Sequence, residues 1–300
     1  MTAPHTARIL RCARVAVIAL AVALSSGCSM VKTAYDNADW LTLMWMERYV
    51  DMDATQEEWA KGRIREFLRW HRHDELAEYV RFLERAETLV RGPVTAADVL
   101  ALNAEVSARL EAAVAKALPD MAQLALEVTP AQIAYMEMKF RKSNATFTKE
   151  YLDVSVEERQ EARFKTVIWM AEYLYGSFSD EQKETVRRAS YARPLVNEAW
   201  LAERLARQRD LVAVLKRIRA EKPPAEVVVQ LIREQAVRAT GIAAIPDRAT
   251  REAAMEAARH AAQLSAMTMN LTTPKQKENA IKSLRRWARD LRTLSQEPGL

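Results

Sequence analysis

Glycine is scarce in this chain, with only six among 300 residues, and this scarcity restricts the folds that are open to it. Glycine is the usual residue where the backbone needs a positive φ, as in tight hairpin turns. Ala, Leu, Arg and Glu are abundant instead, and all four favour a helical backbone. The sequence therefore predicts an all-α fold and leaves few places for hairpins or phosphate-cradling loops.

Apolar side chains recur at intervals of three and four residues, the spacing that places them on one face of a helix. Charged residues occupy the opposite faces, as expected of helices that pack around a shared core. The clearest stripes are Ala60-Ile64-Phe67-Leu68, Leu76-Tyr79-Val80-Leu83, Val99-Leu102-Val106-Leu110, Leu201-Leu205-Val212-Leu215 and Ile281-Leu284-Ala288-Leu291. They predict a multi-helix bundle of about nine helices.

Glycine and proline mark the predicted helix ends. Gly92, Gly176 and Gly241 each follow a periodic segment, where a left-handed C-terminal cap is favoured, and Pro119 indicates a further break. No long Gly/Ser-rich linker divides the chain, so one elongated domain and two abutting helical lobes both fit. If there are two lobes, we place their boundary near residues 119–129.

Four predicted helix starts share one pattern, in which an oxygen-bearing residue stands three places before a glutamine. The oxygen can accept a hydrogen bond from the glutamine's backbone amide, and the glutamine side chain can return one, which makes a capping box. The four pairs are Asp53 with Gln56, Thr129 with Gln132, Ser179 with Gln182, and Thr273 with Gln276.

Residues 1–27 have the pattern of a cleaved bacterial export signal. Three arginines precede an unbroken apolar run from Val15 to Leu24. A run of about ten apolar residues is roughly half of what a transmembrane helix needs. We therefore expect a signal peptide rather than a membrane span.

The signal ends in Ser-Ser-Gly followed by Cys28, which resembles the lipobox of bacterial lipoproteins, although the usual leucine stands one place early, at Leu24. The resemblance implies a diacylglycerol on Cys28 and a lipidated tether over residues 28–34, ahead of a helical periplasmic domain over residues 35–296. Ser29, rather than Asp, favours the periplasmic face of the outer membrane over the inner membrane. An ordinary secretory signal with a chance cysteine is the alternative.

Removal of the leader changes the charge balance. Three of the 45 Lys and Arg residues precede Cys28 and none of the 40 Asp and Glu residues does, so the mature chain would carry 42 basic against 40 acidic residues. This balance and the exported location both argue against nucleic-acid binding. Cys12 would leave with the leader, so Cys28 has no disulfide partner in the mature chain.

Aromatic and acidic residues are concentrated just after the tether. The matching positions are Tyr35–Leu41, Trp45, Tyr49–Asp53 and Gln56, and Trp70–Arg72 and the Thr129 and Thr273 helix starts fit the same pattern. This pattern resembles an uncharacterised family of Gram-negative lipoproteins, which implies an all-helical lipoprotein and supplies no ligand or reaction. The four cap sequences are also similar to the LTxxQ motif of small periplasmic chaperones and stress sensors, but the leading leucine is replaced in all four.

The segment from Trp40 to Tyr49 is predicted to form an aromatic helix close to the lipid anchor. Leu41, Met44, Trp45 and Tyr49 recur at helical spacing, so the preferred interpretation places them in the core. The alternative places Trp40, Trp45 and Tyr49 in the lipid headgroup layer.

The sequence offers little catalytic chemistry. His71 and His73 point in different directions on a helix and lack further ligands at metal-site spacing, and Asp74 is predicted to cap the next helix. Glu157 and Glu161 form a carboxylate pair of a kind common on solvated helix faces. No metalloprotease, nucleophile-elbow or phosphate-loop motif is present. We therefore expect no enzyme activity, no metal site and no cofactor.

Two basic helix faces are candidates for contacts with anions. Residues 204–222 hold seven basic against two acidic residues, and the last helix carries four arginines beside one aspartate. Such faces suit anionic lipid or an acidic envelope partner, and an ordinary solvated face is the alternative. The predicted contact residues are Arg204, Arg207, Lys216, Arg217, Arg219, Arg285, Arg286 and Arg289.

Together these features predict a membrane-anchored envelope lipoprotein that acts as a helical binding or structural scaffold. Its partners would be the membrane, through Cys28, and either an envelope protein or anionic lipid. Two alternatives stay open. One is a periplasmic chaperone or envelope-stress sensor that binds unfolded clients, and the other is an envelope hydrolase that uses carboxylates.

Overall fold

A computed structural model describes residues 30–297, with side chains described from Lys32 onward, and contains no strand in that range. Its α-helices are α1 Met30–Asp36, α2 Ala38–Val50, α3 Ala54–Trp70, α4 Leu76–Arg91, α5 Ala96–Glu127, α6 Pro130–Tyr151, α7 Val156–Tyr175, α8 Asp180–Tyr191, α9 Asn197–Glu221, α10 Ala225–Thr240, α11 Arg248–Asn270 and α12 Pro274–Gln296. The predicted all-α fold is confirmed. The described helices outnumber the predicted nine because breaks such as Asn37 contain neither glycine nor proline. The predicted leader, Cys28 and Ser29 lie outside the described residues.

Buried side chains form several clusters rather than one central core. The largest joins the C-terminal half of α5 to α6, α9 and α10, and includes Leu118, Ile218 and Val228. Another joins α4, α7 and α12 around Ala280 and Leu284. Because α5 contributes buried residues to clusters near both of its ends, this helix connects them. The two-lobe boundary stays a prediction.

The break predicted at Pro119 is wrong, because this proline lies inside α5. Proline lacks an amide hydrogen and normally disrupts a helix interior, but Leu118 and Ala122 on either side are buried in the largest cluster. Tertiary packing therefore keeps the helix continuous. The stripe predicted nearby is only partly correct, because Val106 and Leu110 are exposed.

None of the three glycines forms the predicted left-handed αL cap, since Gly176 combines its positive φ with a ψ of −174°. Gly92 and Gly241 end their helices in extended backbone, with φ of −110° and −128°. Gly176 alone among the three has a positive φ, 84°. The positive φ favours glycine, and a Cβ there would also lie only 3.0 Å from the Asn279 amide nitrogen.

Between α3 and α4 the chain forms a π-helical turn over His71–Glu75. The backbone amide of Leu76 donates to the carbonyl of His71, five residues earlier. The prediction that Asp74 caps a new helix is wrong, because the helix continues through this turn. π-Helical turns are uncommon, and those that occur are frequently found at functional sites.

All four predicted capping boxes are present, at Asp53, Thr129, Ser179 and Thr273. In each, the first residue's side chain accepts a bond from the glutamine's amide, and the glutamine returns a bond. Their positions are determined by local chemistry, which explains why spacing alone locates them.

The cap glutamines also contact each other across the fold. Gln132 Nε2 donates to Gln56 Oε1 at 2.5 Å and to the carbonyl of Asp51 at 2.9 Å. Gln182 and Gln276 form a second pair, with amide bonds of 3.0 and 3.1 Å in the two directions. Each pair joins two helix starts that are distant in sequence.

Candidate functional site

A groove of about 720 Å³ lies where the end of α2, one face of α6 and the start of α9 meet. Helix α2 contributes Arg48 and Tyr49, and α9 contributes Trp200 and Arg204. Helix α6 contributes a stripe of side chains spaced three and four residues apart. The stripe consists of Lys139, Lys142, Ser143, Thr146, Phe147 and Glu150, followed by Tyr151. We call this site the basic groove.

Four cations line the basic groove against a single carboxylate, that of Glu150. Among residues 32–297, no carboxylate lies within 4.0 Å of Arg48, Lys139, Lys142 or Arg204. The groove lining therefore has an excess of three positive charges, four cations minus one carboxylate. Arginine and lysine in a concave site concentrate anions.

Arg204 is held in place rather than free to swing into solvent. Its guanidinium donates to Asn144 Oδ1 at 2.9 Å and to Ser143 Oγ at 2.5 Å, and it lies 5.9 Å from the ring centre of Phe147. Tyr49 packs against Phe140 with a centroid distance of 5.7 Å. The groove therefore combines an oriented guanidinium with rings that are fixed by packing.

A second groove, of about 400 Å³, lies between α9, α10 and the start of α11. We call it the alanine groove, because one wall is formed by Ala253, Ala254, Ala257 and Ala258. Trp200, which is 59% exposed, lines both grooves. At the edge of the alanine groove, burial lowers the pKa of Arg193, whose Nε has no hydrogen-bond partner among the described residues.

The core placement predicted for the aromatic helix is wrong for three of its four residues. Leu41, Met44 and Trp45 are exposed, and the buried member of α2 is Leu43, which packs against α3. Of the predicted four, only Tyr49 packs against a neighbouring helix. Helical spacing identified residues that share a face, but that face is turned away from the core.

A half-buried polar cluster fixes α1 against the π-helical turn. The Tyr35 hydroxyl lies 3.1 Å from both the carbonyl oxygen of Leu68 and His71 Nδ1, and the Arg72 guanidinium lies 5.1 Å from the Tyr35 ring centre. Burial raises the pKa of Tyr35 to about 12 and lowers the pKa of His71. Both side chains are therefore held neutral near pH 7.

Arg72 and Glu75 of the same turn are both only 6% exposed. Glu75 lies 3.7 Å from Arg109 on α5. His73 is exposed and lies 3.5 Å from Asp74, so the two histidines point in different directions. Among the described residues, no group of three or more His, Cys, Asp or Glu side chains is arranged to hold a metal ion.

The eight predicted anion-contact residues do not form one surface. Arg204 lines the basic groove and Arg207 the alanine groove, whereas Arg285 and Arg289 line a cleft between α4 and α12. Four pair with carboxylates, namely Arg207 with Glu203 at 3.7 Å, Lys216 with Glu137 at 2.8 Å, Arg217 with Glu221 at 2.9 Å and Arg285 with Glu87 at 2.8 Å. Arg219, Arg286 and Arg289 have no such pair within the described part of the chain. Their contact with anions stays a prediction.

The carboxylate pair Glu157 and Glu161 does not form a two-residue site. Glu161 accepts from the Tyr191 hydroxyl at 2.8 Å and pairs with Arg187. These contacts, led by the Tyr191 hydrogen bond, lower the pKa of Glu161. Glu157 lies exposed at the start of α7. This arrangement keeps Glu161 ionised rather than preparing it as an acid.

The sequence analysis did not identify Arg48, Lys139 and Lys142 as residues of the basic groove. A signal was present for α6, where cationic, hydroxyl and aromatic residues alternate at helical spacing. Nothing in the sequence indicated that this stripe faces the end of α2 and the start of α9, because those contacts join residues far apart along the chain.

Within residues 30–297, none of the helices combines the length and the apolar character that a membrane-crossing segment requires. No curated protein and no solved structure matches the chain. A family profile matches residues 48–238, from the end of α2 through most of α10, and it is described as a family of unknown function (DUF6279). The matched range contains every residue that lines the basic groove, from Arg48 to Arg204, but not the aromatic positions 35–45 or the Thr273 helix start. The chain belongs to this family of unknown function.

Proposed function

We propose that this protein is a lipid-anchored envelope protein that binds an anionic ligand with an apolar part in the basic groove. The observation that carries the proposal is the groove itself, which is lined by four cations, a single carboxylate and several aromatic side chains. Arginine and lysine bind phosphate, sulfate and carboxylate groups through charge-assisted hydrogen bonds. Aromatic rings supply apolar contact area beside them.

The shape of the surface supports an elongated, amphiphilic ligand. Trp200 lines both grooves, so a ligand with its anionic group in the basic groove can extend its apolar chain past this ring. The alanine groove then offers a wall of small side chains along which an acyl chain fits. An anionic single-chain lipid has both required parts.

Anchoring through the leader is the second half of the proposal. The apolar run from Val15 to Leu24 and the small residues before Cys28 support export and lipidation, and Ser29 favours the outer membrane. Intact-mass analysis of protein extracted from membranes should show a diacylglycerol on a mature chain that begins at Cys28. A chain whose residues 1–28 are replaced by an ordinary cleavable secretory leader without the cysteine should enter the soluble periplasmic fraction. A variant that stays in the membrane pellet would contradict lipid anchoring.

Ligand binding is tested by calorimetric titration with lysophosphatidylglycerol and, as the neutral-headgroup probe, lysophosphatidylcholine, each below its micelle concentration. We expect the anionic probe to bind more tightly, and the double variant Arg48→Ala with Lys142→Ala to raise its Kd about tenfold or more, because two charge contacts are lost. The matched control is Arg219→Ala with Arg286→Ala, which removes the same charge outside both grooves. Equal binding of the two probes, or equal effects of the two double variants, would contradict the groove proposal.

A second candidate function is the binding of unfolded clients. It is favoured by a stack of three rings, in which Trp169 lies 5.8 Å from Tyr173 and Tyr173 lies 5.9 Å from the partly buried Trp287. Trp169, Met170 and Tyr173 are exposed. Apolar patches of this kind bind extended chains without strict sequence preference. A client-binding protein should suppress aggregation of a denatured substrate at near-stoichiometric ratio. Absence of suppression would remove this candidate.

A further inference from the structure

Helix α2 presents an apolar face that no described residue covers. On a helical wheel, Trp40, Leu41, Met44, Trp45 and Arg48 share an arc of about 140°, and all five are exposed. Trp40 and Trp45 are 60% and 63% exposed. The opposite arc holds Leu43, Met46 and Val50, which contact the rest of the fold. This helix is therefore apolar on two sides, and only one side is buried.

The charge distribution on α2 suits the surface of an anionic bilayer, where anionic headgroups lie beside the apolar interior. The exposed arc contains no carboxylate, and Glu47 lies at its flank. Arg48 closes the arc and also lines the basic groove. Trp45 is in edge-on contact with Tyr49, whose ring borders the same groove, at a centroid distance of 5.9 Å. The exposed apolar face of α2 and the basic groove therefore form one continuous surface.

The position of α2 in the chain indicates what covers this face. Cys28 lies two residues before α1, and α1 is followed by α2 after the single residue Asn37. At a helical rise of 1.5 Å per residue from Met30 to Trp40, and at most about 3.5 Å for each of the two preceding residues, the distance from Cys28 to Trp40 is at most about 22 Å. Tyr35, bonded to Leu68 and close to His71, prevents α1 from turning away. A lipid on Cys28 would hold α2 at the bilayer surface.

We propose that the exposed arc of α2 is a membrane-docking surface that inserts Trp40, Leu41, Met44 and Trp45 into the headgroup layer of the bilayer that carries the Cys28 lipid. This inference rests on the lipid anchor of the proposed function. Tryptophan concentrates at membrane interfaces because it joins a large apolar ring to a polar N–H group, and an amphipathic helix buries its apolar face to a depth of about 5–10 Å there.

A second copy of the chain fits the same face less well. From their exposed fractions, the four apolar side chains offer about 450 Å². A stable protein interface needs about 800 Å² on each partner. A bilayer has no such minimum, because each side chain inserts independently while the covalent lipid keeps the protein in place.

The test is tryptophan fluorescence of the lipidated full-length mature protein in vesicles of phosphatidylethanolamine and phosphatidylglycerol that contain brominated phosphatidylcholine. Bromine quenches tryptophan only within the bilayer. We expect strong quenching, of which the double variant Trp40→Phe with Trp45→Phe loses more than half. The matched control is Trp169→Phe, because Trp169 is 65% exposed but lies on α7, and it should change the quenching little.

The possible results separate this inference from the proposed function. If intact-mass analysis shows the lipid and the vesicles retain the protein, but quenching is absent or unchanged in the double variant, the docking surface is wrong and the anchor stands. If concentration-dependent dimers form and disappear in the double variant, a second copy covers the face and the docking surface is again wrong. If the mass shows no lipid, lipid anchoring and the docking surface both fail, whereas ligand binding in the basic groove is decided by its own titration.

Discussion

At the scale of single residues, the paired cap glutamines are the most constrained polar groups of the fold. Gln132→Ala removes a capping bond, the bond to the buried Gln56 and the bond to the Asp51 carbonyl. We expect the free energy of unfolding to fall by about 2–3 kcal/mol. Urea denaturation followed by circular dichroism measures the change.

The control for this variant is a capping box that does not contact a second capping box. Glu158→Ala removes the return bond to Ser155 at the exposed start of α7, and it should cost only about 0.5–1 kcal/mol. Equal losses in the two variants would mean that the contact between Gln132 and Gln56 adds no stability.

His71 gives the unfolding free energy a predicted dependence on pH. Burial lowers its pKa below the ordinary value of 6.5, so the unfolded chain binds a proton more readily than the folded chain. The stability is therefore fully present above about pH 6.5 and falls as the pH drops through the lowered folded-state value. His71→Gln should reduce this fall, measured by urea denaturation between about pH 7.5 and about pH 5.

The matched control is His73→Gln, since His73 is exposed two residues away. It should leave the pH dependence unchanged. If both variants behave like the original protein, protonation of His71 does not limit stability in this range, and other groups account for any acid sensitivity.

What the sequence predicts well at this scale is chemistry confined to a few neighbouring residues. The four capping boxes each depend on two residue types at fixed spacing, so they were located from spacing alone. The bonds from Gln132 to Gln56 and from Gln276 to Gln182 join residues 76 and 94 positions apart, and no local pattern contains that information.

At the scale of helices, α5 shows tertiary packing overriding the tendency of proline to break a helix. Pro119 is exposed within it and removes one intrahelical hydrogen bond. We expect Pro119→Ala to raise the free energy of unfolding by about 1–3 kcal/mol. Thermal or urea denaturation measures the gain.

Pro130→Ala provides the comparison, because Pro130 stands at the first position of α6, where a missing amide hydrogen costs nothing. This variant should be neutral or slightly destabilised. A loss of stability in Pro119→Ala would mean that the proline ring makes packing contacts worth more than the missing bond.

The same scale explains why the aromatic helix was placed in the core. Periodicity shows that Leu41, Met44 and Trp45 share one face, but it does not show whether another element covers that face. The residues of α2 that are buried or partly buried, such as Leu43 and Met46, are equally apolar. The basic groove was missed for the related reason that Arg48 meets Lys142 only after α2 and α6 have packed.

At the scale of the whole molecule, the separate buried clusters predict unequal local stability. Ile218→Ala should destabilise by about 2–5 kcal/mol and reduce amide hydrogen-exchange protection mainly in α9 and α10, which share its cluster. Leu284→Ala should act mainly on α4, α7 and α12. Uniform loss of protection in both variants would indicate one cooperative unit and would exclude two independently unfolding lobes.

The two ends of the described chain meet, because Lys32 in α1 pairs with Glu297 just after α12. A reporter protein fused to the C-terminus would therefore lie close to the first helix. There it would interfere sterically with the short tether to Cys28. An insertion in the turn at residues 152–155, between α6 and α7, keeps both ends clear and is the better place for a label in fractionation and imaging work.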